Sequence, residues 1–282
     1  MLPDDRSVRS LHEQHVVAHC NYPASLDKLT PSEIAYLNAE HALCDLPDLG
    51  QDRDKTYRLG IMGGTFDPIH HGHLVAAETA YDELNLDLVL FMPCGSPAFK
   101  QDRHVATAED RYAMAILATA DNPHFLVSRF EINRAGITYT ADTLRLLRAY
   151  YPDNVEFFFI TGADAIANII YWHNAHKISS SCQFVAATRP GYDLASAQRR
   201  IEASNLHLNV RYLEVPALSI SSSYLRERVQ HQRSLRYLTP DTVTGYIHKH
   251  LLYGADIRVY KHMDSDKAVS YTHLTLPTIC SV

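Results

Sequence analysis

The residues Gly63-Gly64-Thr65-Phe66-Asp67-Pro68-Ile69-His70-His71-Gly72-His73 carry the densest chemistry in the chain. The apolar run from Tyr57 to Met62 ahead of them reads as a buried strand, and Leu74 to Tyr81 behind them reads as a helix. A strand-to-helix turn of this composition is laid out to hold phosphates. Gly63 and Gly64 have no side chain to obstruct a ligand approaching the backbone. A helix starting near Gly72 presents free N–H groups and about half a positive charge from its dipole. His70 and His73 add side-chain donors where negative charge grows during phosphate chemistry.

A second candidate anion site is Ile220-Ser221-Ser222-Ser223-Tyr224-Leu225-Arg226, about 150 residues further on. It follows the strand-like run Val210–Val215 and Pro216, and it begins a helix. Serine hydroxyls at a helix start cap free N–H groups and can meet an anion. Arg226 lies one turn inside, where its planar guanidinium can bridge phosphate oxygens. Phe91 to Lys100 holds two further prolines, a glycine and a lysine, and reads as a shaped loop. Lys100 is either a phosphate ligand or a solvated lysine.

The elements that must position these residues alternate from Tyr57 to about Tyr253. Strand-like runs are Leu86–Pro93, Phe125–Ser128, Val155–Thr161, Gln183–Thr188 and Val210–Val215. Helical periods cover Ala108–Ala120, Ala141–Tyr151, Ala163–Ile170, Ala195–Ser204, Ser222–Gln230 and Asp241–Leu252. Alternation of this kind predicts an α/β fold with a doubly wound parallel sheet covered on both faces. Such a sheet binds ligands beyond the carboxyl ends of its strands, which is where the histidine turn falls.

Residues 1–56 read as a helical extension and linker. Thr30-Pro31-Ser32-Glu33 is a capping box with proline at the first helical position, predicting a short helix through about Leu43. His12, His15 and His19 could share one helical face at spacings of three and four; such spacing can bind metal, but a solvated face is the preferred reading. Residues 254–282 read as a disordered tail outside the domain. Its end, Ser270 to Cys280, resembles translated read-through of a sequencing adaptor and reads as foreign to the native chain.

Composition narrows the classes. Of 282 residues, 46% are hydrophobic and 21% charged, which is ordinary globular usage. No apolar run reaches the length of a membrane span, and the acidic start Met1-Leu2-Pro3-Asp4-Asp5 is unlike a signal peptide. The five cysteines are scattered without a Cys-x-x-Cys pair, so neither a disulfide framework nor a protein-bound metal is expected, and a cytoplasmic setting fits. A net charge of −6 argues against a nucleic-acid surface. Oligomeric state is not legible.

The two motifs together resemble the signature of the nucleotidylyltransferases with a His-x-Gly-His motif, whose second motif is Ile-Ser-Ser-Thr/Ser-x-x-Arg. The resemblance spans residues 57 to 253 and implies a Rossmann-like nucleotidylyltransferase fold. It implies ATP binding by Gly63, Gly64, Thr65, Phe66, His70, Gly72, His73, Ser221, Ser222, Ser223 and Arg226, with His70, His73 and Arg226 catalytic. Mg²⁺ would accompany the ATP. Thr138 to Leu144, Gly162-Ala163-Asp164-Ala165 and Trp172 are similar to the acceptor site of the nicotinate-nucleotide adenylyltransferase branch. That likeness implies Trp172 stacked on a pyridine ring, with Thr140, Ala141 and His173 near its carboxylate. Gly162 and Asp164 would lie on the substrate side, Asp164 holding ribose hydroxyls or only capping its helix. Lys100 and Arg189 would also face substrate, Arg189 on the adenosine side. The implied reaction is adenylyl transfer from ATP to nicotinate mononucleotide in NAD biosynthesis. Adenylyltransferases for nicotinamide mononucleotide or pantetheine phosphate, and a nucleotide-binding regulator without turnover, stay open as alternatives.

Overall fold

The computed structural model describes residues 29–39, 43, 45–97, 105–178, 181–188, 194–204, 206, 208–216 and 218–256. His12, His15, His19, Lys100 and Arg189, with the tail from residue 257, lie outside the described residues. The strands are β1 (Tyr57–Gly64), β2 (Leu88–Pro93), β3 (Ser96–Pro97), β4 (Phe125–Val127), β5 (Ile137–Thr138), β6 (Val155–Gly162), β7 (Gln183–Thr188) and β8 (Val210–Glu214). The helices are α1 (Pro31–Leu37), α2 (His71–Leu84), α3 (Ala108–Thr119), α4 (Thr140–Tyr150), α5 (Ala163–Ala167), α6 (Ala175–Ile178), α7 (Leu194–Ala203), α8 (Ser222–Gln230) and α9 (Asp241–Lys249).

Six strands form one parallel sheet in the order β4-β2-β1-β6-β7-β8. From β1 the chain first builds outward through β2 to β4, then crosses back to β6 on the other side. The crossovers part at β1, and the carboxyl end of β1 therefore opens into a crevice. That end is Gly63-Gly64, as expected for the doubly wound sheet.

Side chains alternate between two buried clusters along each strand, as a two-residue repeat requires. Met62, Val89, Phe91, Phe158 and Ile160 face α2, α3, α8 and α9. Leu59, Ile61, Leu90, Phe157 and Phe159 face α4, α5 and α6. Parallel strands buried on both sides need this continuous apolar run.

The structure corrects several boundaries. The first helix stops at Leu37 rather than Leu43: the Asn38 amide makes the last i→i−4 bond, to Ile34, and the Ala39 amide closes a tighter turn on the Tyr36 carbonyl. The helix starting at Ala163 ends at Ala167, where Asn168 leads into a 3-10 turn, Ile169–Tyr171. The last helix stops at Lys249 rather than Leu252, since Leu251 takes a left-handed backbone (φ 54°). The pairing of β3 with β5 was not expected; it joins the loop after β2 to the approach to α4. Leu37 and Leu46 from the N-terminal extension are buried in the second cluster, and Ala255 packs on the first. The packed body therefore reaches beyond Tyr57 at one end and past Tyr253 at the other.

Leu147 on α4 is fully buried, whereas Ile116 on α3 is 40% exposed. Leu147→Ala is expected to cost about 2–5 kcal/mol and Ile116→Ala within about 0.5 kcal/mol. Urea titration of both variants checks the assignment of faces; equal losses would contradict it.

Candidate active site

The histidine turn is built so tightly that its glycines are obligatory. A Cβ on Gly63 would lie 2.9 Å from the Phe159 ring, and one on Gly64 would lie 2.9 Å from the Phe66 ring. Phe66 itself has a left-handed backbone (φ 51°), and the Asp67–Pro68 peptide is cis. His70 is the N-cap of α2. Its ring stacks on that of His73 at 3.7 Å, and Phe66 meets His73 edge-on at 5.1 Å.

The His70 amide donates to Nδ1 of His73 at 3.2 Å. An acceptor at Nδ1 leaves the proton of neutral His73 on Nε2, so that nitrogen is a donor. His70 is 6% exposed. Burial, aided by the charge of His71, lowers its pKa from the usual 6.5 to about 4. His70 is therefore neutral at neutral pH and offers an N–H rather than a standing charge.

The second motif docks on the first. Ser222 Oγ donates to the Pro68 carbonyl at 2.8 Å, and Arg226 Nη1 donates to the Asp67 carbonyl at 2.6 Å. Arg226 Nη2 reaches Ser223 Oγ at 3.1 Å, while Ser221 Oγ caps the helix by accepting the Tyr224 amide. The three serine hydroxyls thus have partners within the protein. Ser221 Oγ and Ser223 Oγ accept these bonds and each keeps its own proton to donate, while Ser222 spends its proton on the Pro68 carbonyl. The Asp67 carboxylate, 1% exposed, accepts the Ala106 amide and the Tyr253 hydroxyl at 3.1 and 2.7 Å, and stands 3.5 Å from Arg226.

On the other side of Gly63 and Gly64 lies a cavity of about 290 Å³. Thr65, Phe159, Trp172, Tyr139, Thr140 and His173 line it, so Thr140, Trp172 and His173 come together as expected. Trp172 meets Phe159 edge-on at 6.1 Å and His173 stacks on Tyr139 at 4.2 Å. The amides of Asp142 and Thr143 bond back to the Tyr139 carbonyl, leaving those of Thr140 and Ala141 ahead of the first helical bonds. Ala141 is buried behind the wall, and neither Gly162 nor Asp164 lines the cavity. Gly162 is the N-cap of α5, with Asp164 in its first turn.

Two residues of this region escaped sequence reading. Arg111 is 1% exposed and donates to the carbonyls of Thr65, Gly95 and Ala106 at 2.8, 2.8 and 3.1 Å. It sets a permanent positive charge behind the turn. Its signal was present: it falls on the apolar face of α3, one turn before Met114 and Ala115. Glu131 lines the cavity, 8% exposed, and burial pushes its carboxyl up. It accepts the Thr143 hydroxyl at 2.6 Å, and no local pattern announces it.

Among the described residues no cluster of three His, Cys, Asp or Glu side chains could hold a metal ion. Asp67, the nearest carboxylate to the turn's backbone, is already committed to protein partners. The site does not fit a metal bound by the protein alone. No helix among the described residues is long and apolar enough to cross a membrane.

A doubly wound sheet with a glycine–histidine turn on its central strand and an arginine motif docked across it defines a nucleotidyltransferase domain. Residues 61–228 match the family described as Cytidylyltransferase-like. A protein of Mycolicibacterium vanbaalenii named probable nicotinate-nucleotide adenylyltransferase is 50% identical over 204 residues, covering 71% of this chain and 93% of that one. One of the same name from Thermoanaerobacter is 47% identical over 205 residues, covering 72% and 97%. The solved nicotinic acid mononucleotide adenylyltransferase of Plasmodium falciparum, complexed with NaAD, superposes with a TM-score of 0.60 at 19% identity. That alignment covers 71% of this chain and 99% of the Plasmodium one, and at such identity it is a likeness of fold. The chain belongs to the nicotinate-nucleotide adenylyltransferase family.

The depressed pKa of His70 has a consequence for stability. Between about pH 6.5 and 4 the unfolded chain binds a proton at this position that the native chain does not. Stability contributed by neutral His70 is complete above 6.5 and is lost as pH falls towards 4. His70→Gln is expected to show a shallower acid-side decline, by up to about 1.4 kcal/mol per pH unit. Denaturant titrations of both proteins from pH 7 to 4 check this; parallel curves would place the proton uptake elsewhere.

Proposed function

We propose that the chain transfers the adenylyl group of ATP to nicotinate mononucleotide, forming nicotinate adenine dinucleotide and pyrophosphate, in NAD biosynthesis. The observation that supports it most is the placement of two distinct sites on either side of one glycine pair. The histidine turn with Arg226 suits a triphosphate, and the aromatic cavity suits a planar ring carrying an anion. Gly63 to Thr65 belongs to both, so the two substrates would meet at the carboxyl end of β1.

The reaction needs no protein nucleophile. A phosphate oxygen of the mononucleotide attacks the α-phosphorus of ATP in line. The bond from that phosphorus to the α–β bridging oxygen breaks, and the electron pair leaves with pyrophosphate. The protein's contribution is then positioning and preorganised charge stabilisation. Nε2–H of His73 and the His70 ring would donate to the α-phosphate oxygens as charge grows there. Arg226, with donors beyond the two it spends on Asp67 and Ser223, would hold the departing pyrophosphate. The backbone of Gly63 to Phe66 and the start of α2 at Gly72 would cradle the triphosphate, with the charge of Arg111 behind them. Mg²⁺ would arrive on the triphosphate as part of the substrate. Lys100 and Arg189 keep their proposed substrate roles from sequence alone, and a cytosolic setting suits the reaction.

In the cavity the pyridine ring would lie on Trp172, an arrangement worth about 0.5–2 kcal/mol for a cationic ring on indole. Its carboxylate would meet the amides of Thr140 and Ala141 at the positive end of α4. The exposed Gly162 and Asp164 would face the ribose side.

His73→Ala is expected to lower turnover by at least about two orders of magnitude with the melting temperature preserved, the usual effect of losing one such donor. Turnover near the wild-type value would remove His73 from the mechanism. Pyrophosphate release from ATP, measured with several phosphate acceptors, tests the substrate. Nicotinate mononucleotide should exceed nicotinamide mononucleotide at least about tenfold in kcat/KM, because the amide leaves one buried donor unpaired. Equal values would contradict the assignment of the cavity to a carboxylate.

A further inference from the structure

Residues 29–39, 43 and 45–50 precede both β1 and the matched residues 61–228, yet several of them are tied to particular parts of the domain. The Tyr36 hydroxyl donates to the Phe130 carbonyl, and the two rings meet edge-on at 5.4 Å. The Asp45 carboxylate accepts the Arg129 amide at 2.8 Å. Glu33 pairs with Arg145 on α4. The Tyr151 hydroxyl, buried just past the end of α4, donates to the Pro47 carbonyl at 2.8 Å. Leu37 and Leu46 share a buried cluster with Leu144 and Leu147 of the same helix.

These attachments converge on two backbone segments, residues 129–131 and helix α4. Both segments wall the aromatic cavity. Glu131 lies on its lining directly after the two tethered residues, and Tyr139 and Thr140 line it at the start of α4. The Glu131–Thr143 hydrogen bond then locks one segment to the other. Glu33 is held ionised for its part: burial opposes the charge, but the bonds from Arg145 and Thr30 outweigh it and keep the carboxyl below its usual range. The extension therefore grips the wall that would carry the ring carboxylate, from the side opposite the ligand.

We propose that the described residues between 30 and 50, namely 30–39, 43 and 45–50, form a strut that sets the acceptor wall, and that Tyr36, Asp45 and the Glu33–Arg145 pair are positioning residues for the pyridine mononucleotide. This rests on the reading of the cavity as the acceptor site. None of these side chains touches the reacting atoms. A loosened wall would misplace the acceptor amides of α4 while the turn that takes ATP keeps its shape. A small displacement of a positioning wall is enough to weaken productive binding.

The test is steady-state kinetics of the full chain with each substrate varied in turn. Tyr36→Phe, Arg145→Leu and Asp45→Ala should each raise KM for nicotinate mononucleotide at least about threefold, with KM for ATP within about twofold of wild type. Asp45→Asn, which keeps an acceptor oxygen for the Arg129 amide, should return the acceptor KM to near the wild-type value. A strut that merely stabilises the fold would lower the melting temperature without splitting the two KM values. Unmoved acceptor KM in Tyr36→Phe and Arg145→Leu, a parallel rise in both KM values, or no recovery in Asp45→Asn would overturn the proposal. A wild-type chain that does not use nicotinate mononucleotide would instead overturn the reading of the cavity, and the strut with it.

Discussion

The buried carboxyl group of Asp67 is the interaction on which the phosphate side of this site depends. It gathers the Ala106 amide ahead of α3, the Tyr253 hydroxyl after α9 and the neighbouring Arg226 guanidinium. Those segments are 39 and 186 residues away along the chain for the two hydrogen bonds. Leaving such a group unpaired would be costly, so its partners hold one another in place. The same residue's carbonyl takes Arg226 Nη1, and the carbonyls of Pro68 and Ile69 take Ser222 and Thr239. Three successive carbonyls of the turn thus fasten the second motif and the approach to α9 onto the first. Loop backbone that would otherwise be unsatisfied is the glue between the two halves of the nucleotide site.

The two sides of Gly63-Gly64 solve different physical problems. The histidine side holds a neutral buried His70, a tautomer of His73 fixed by a backbone amide, and Arg111 held by carbonyls. The cavity side holds aromatic rings and the first amides of α4, which lie ahead of its first helical bonds. Among the described residues no cluster of three His, Cys, Asp or Glu side chains stands at either site. That is consistent with a reaction in which the substrates supply both nucleophile and leaving group.

Much of this was legible because its causes are local. Apolar runs marked β6 and β7 to within a residue, since parallel strands buried on both faces leave a continuous apolar pattern; the run of the edge strand β8, with only Leu213 buried, was read to within a residue as well. Capping chemistry marked the starts of α1 and α8, and the glycine–histidine turn marked the crevice. The ends of α1, α5 and α9 were misread because each is fixed by one Asn or one left-handed residue. The partners of Asp67 and Glu131 were invisible for a deeper reason: Tyr253, Thr143 and Ala106 become neighbours only when the sheet closes. Of the three serines read as anion ligands, Ser222 donates its hydroxyl to the Pro68 carbonyl, a partner that no local pattern records. Arg111 was the missed opportunity, a cation placed on an apolar helical stripe. The packing of the extension could not be foreseen, because Tyr36 and Asp45 bond to backbone atoms, which no sequence pattern records.

The central claim is that these two sites join one ATP and one pyridine mononucleotide through the α-phosphorus. Phosphorus NMR of the full chain with ATP, Mg²⁺ and nicotinate mononucleotide tests it most directly. The account predicts that a dinucleotide pyrophosphate diester and inorganic pyrophosphate appear together in equal amounts as the mononucleotide phosphate disappears. Release of inorganic phosphate with formation of ADP, or pyrophosphate without the diester, would contradict it.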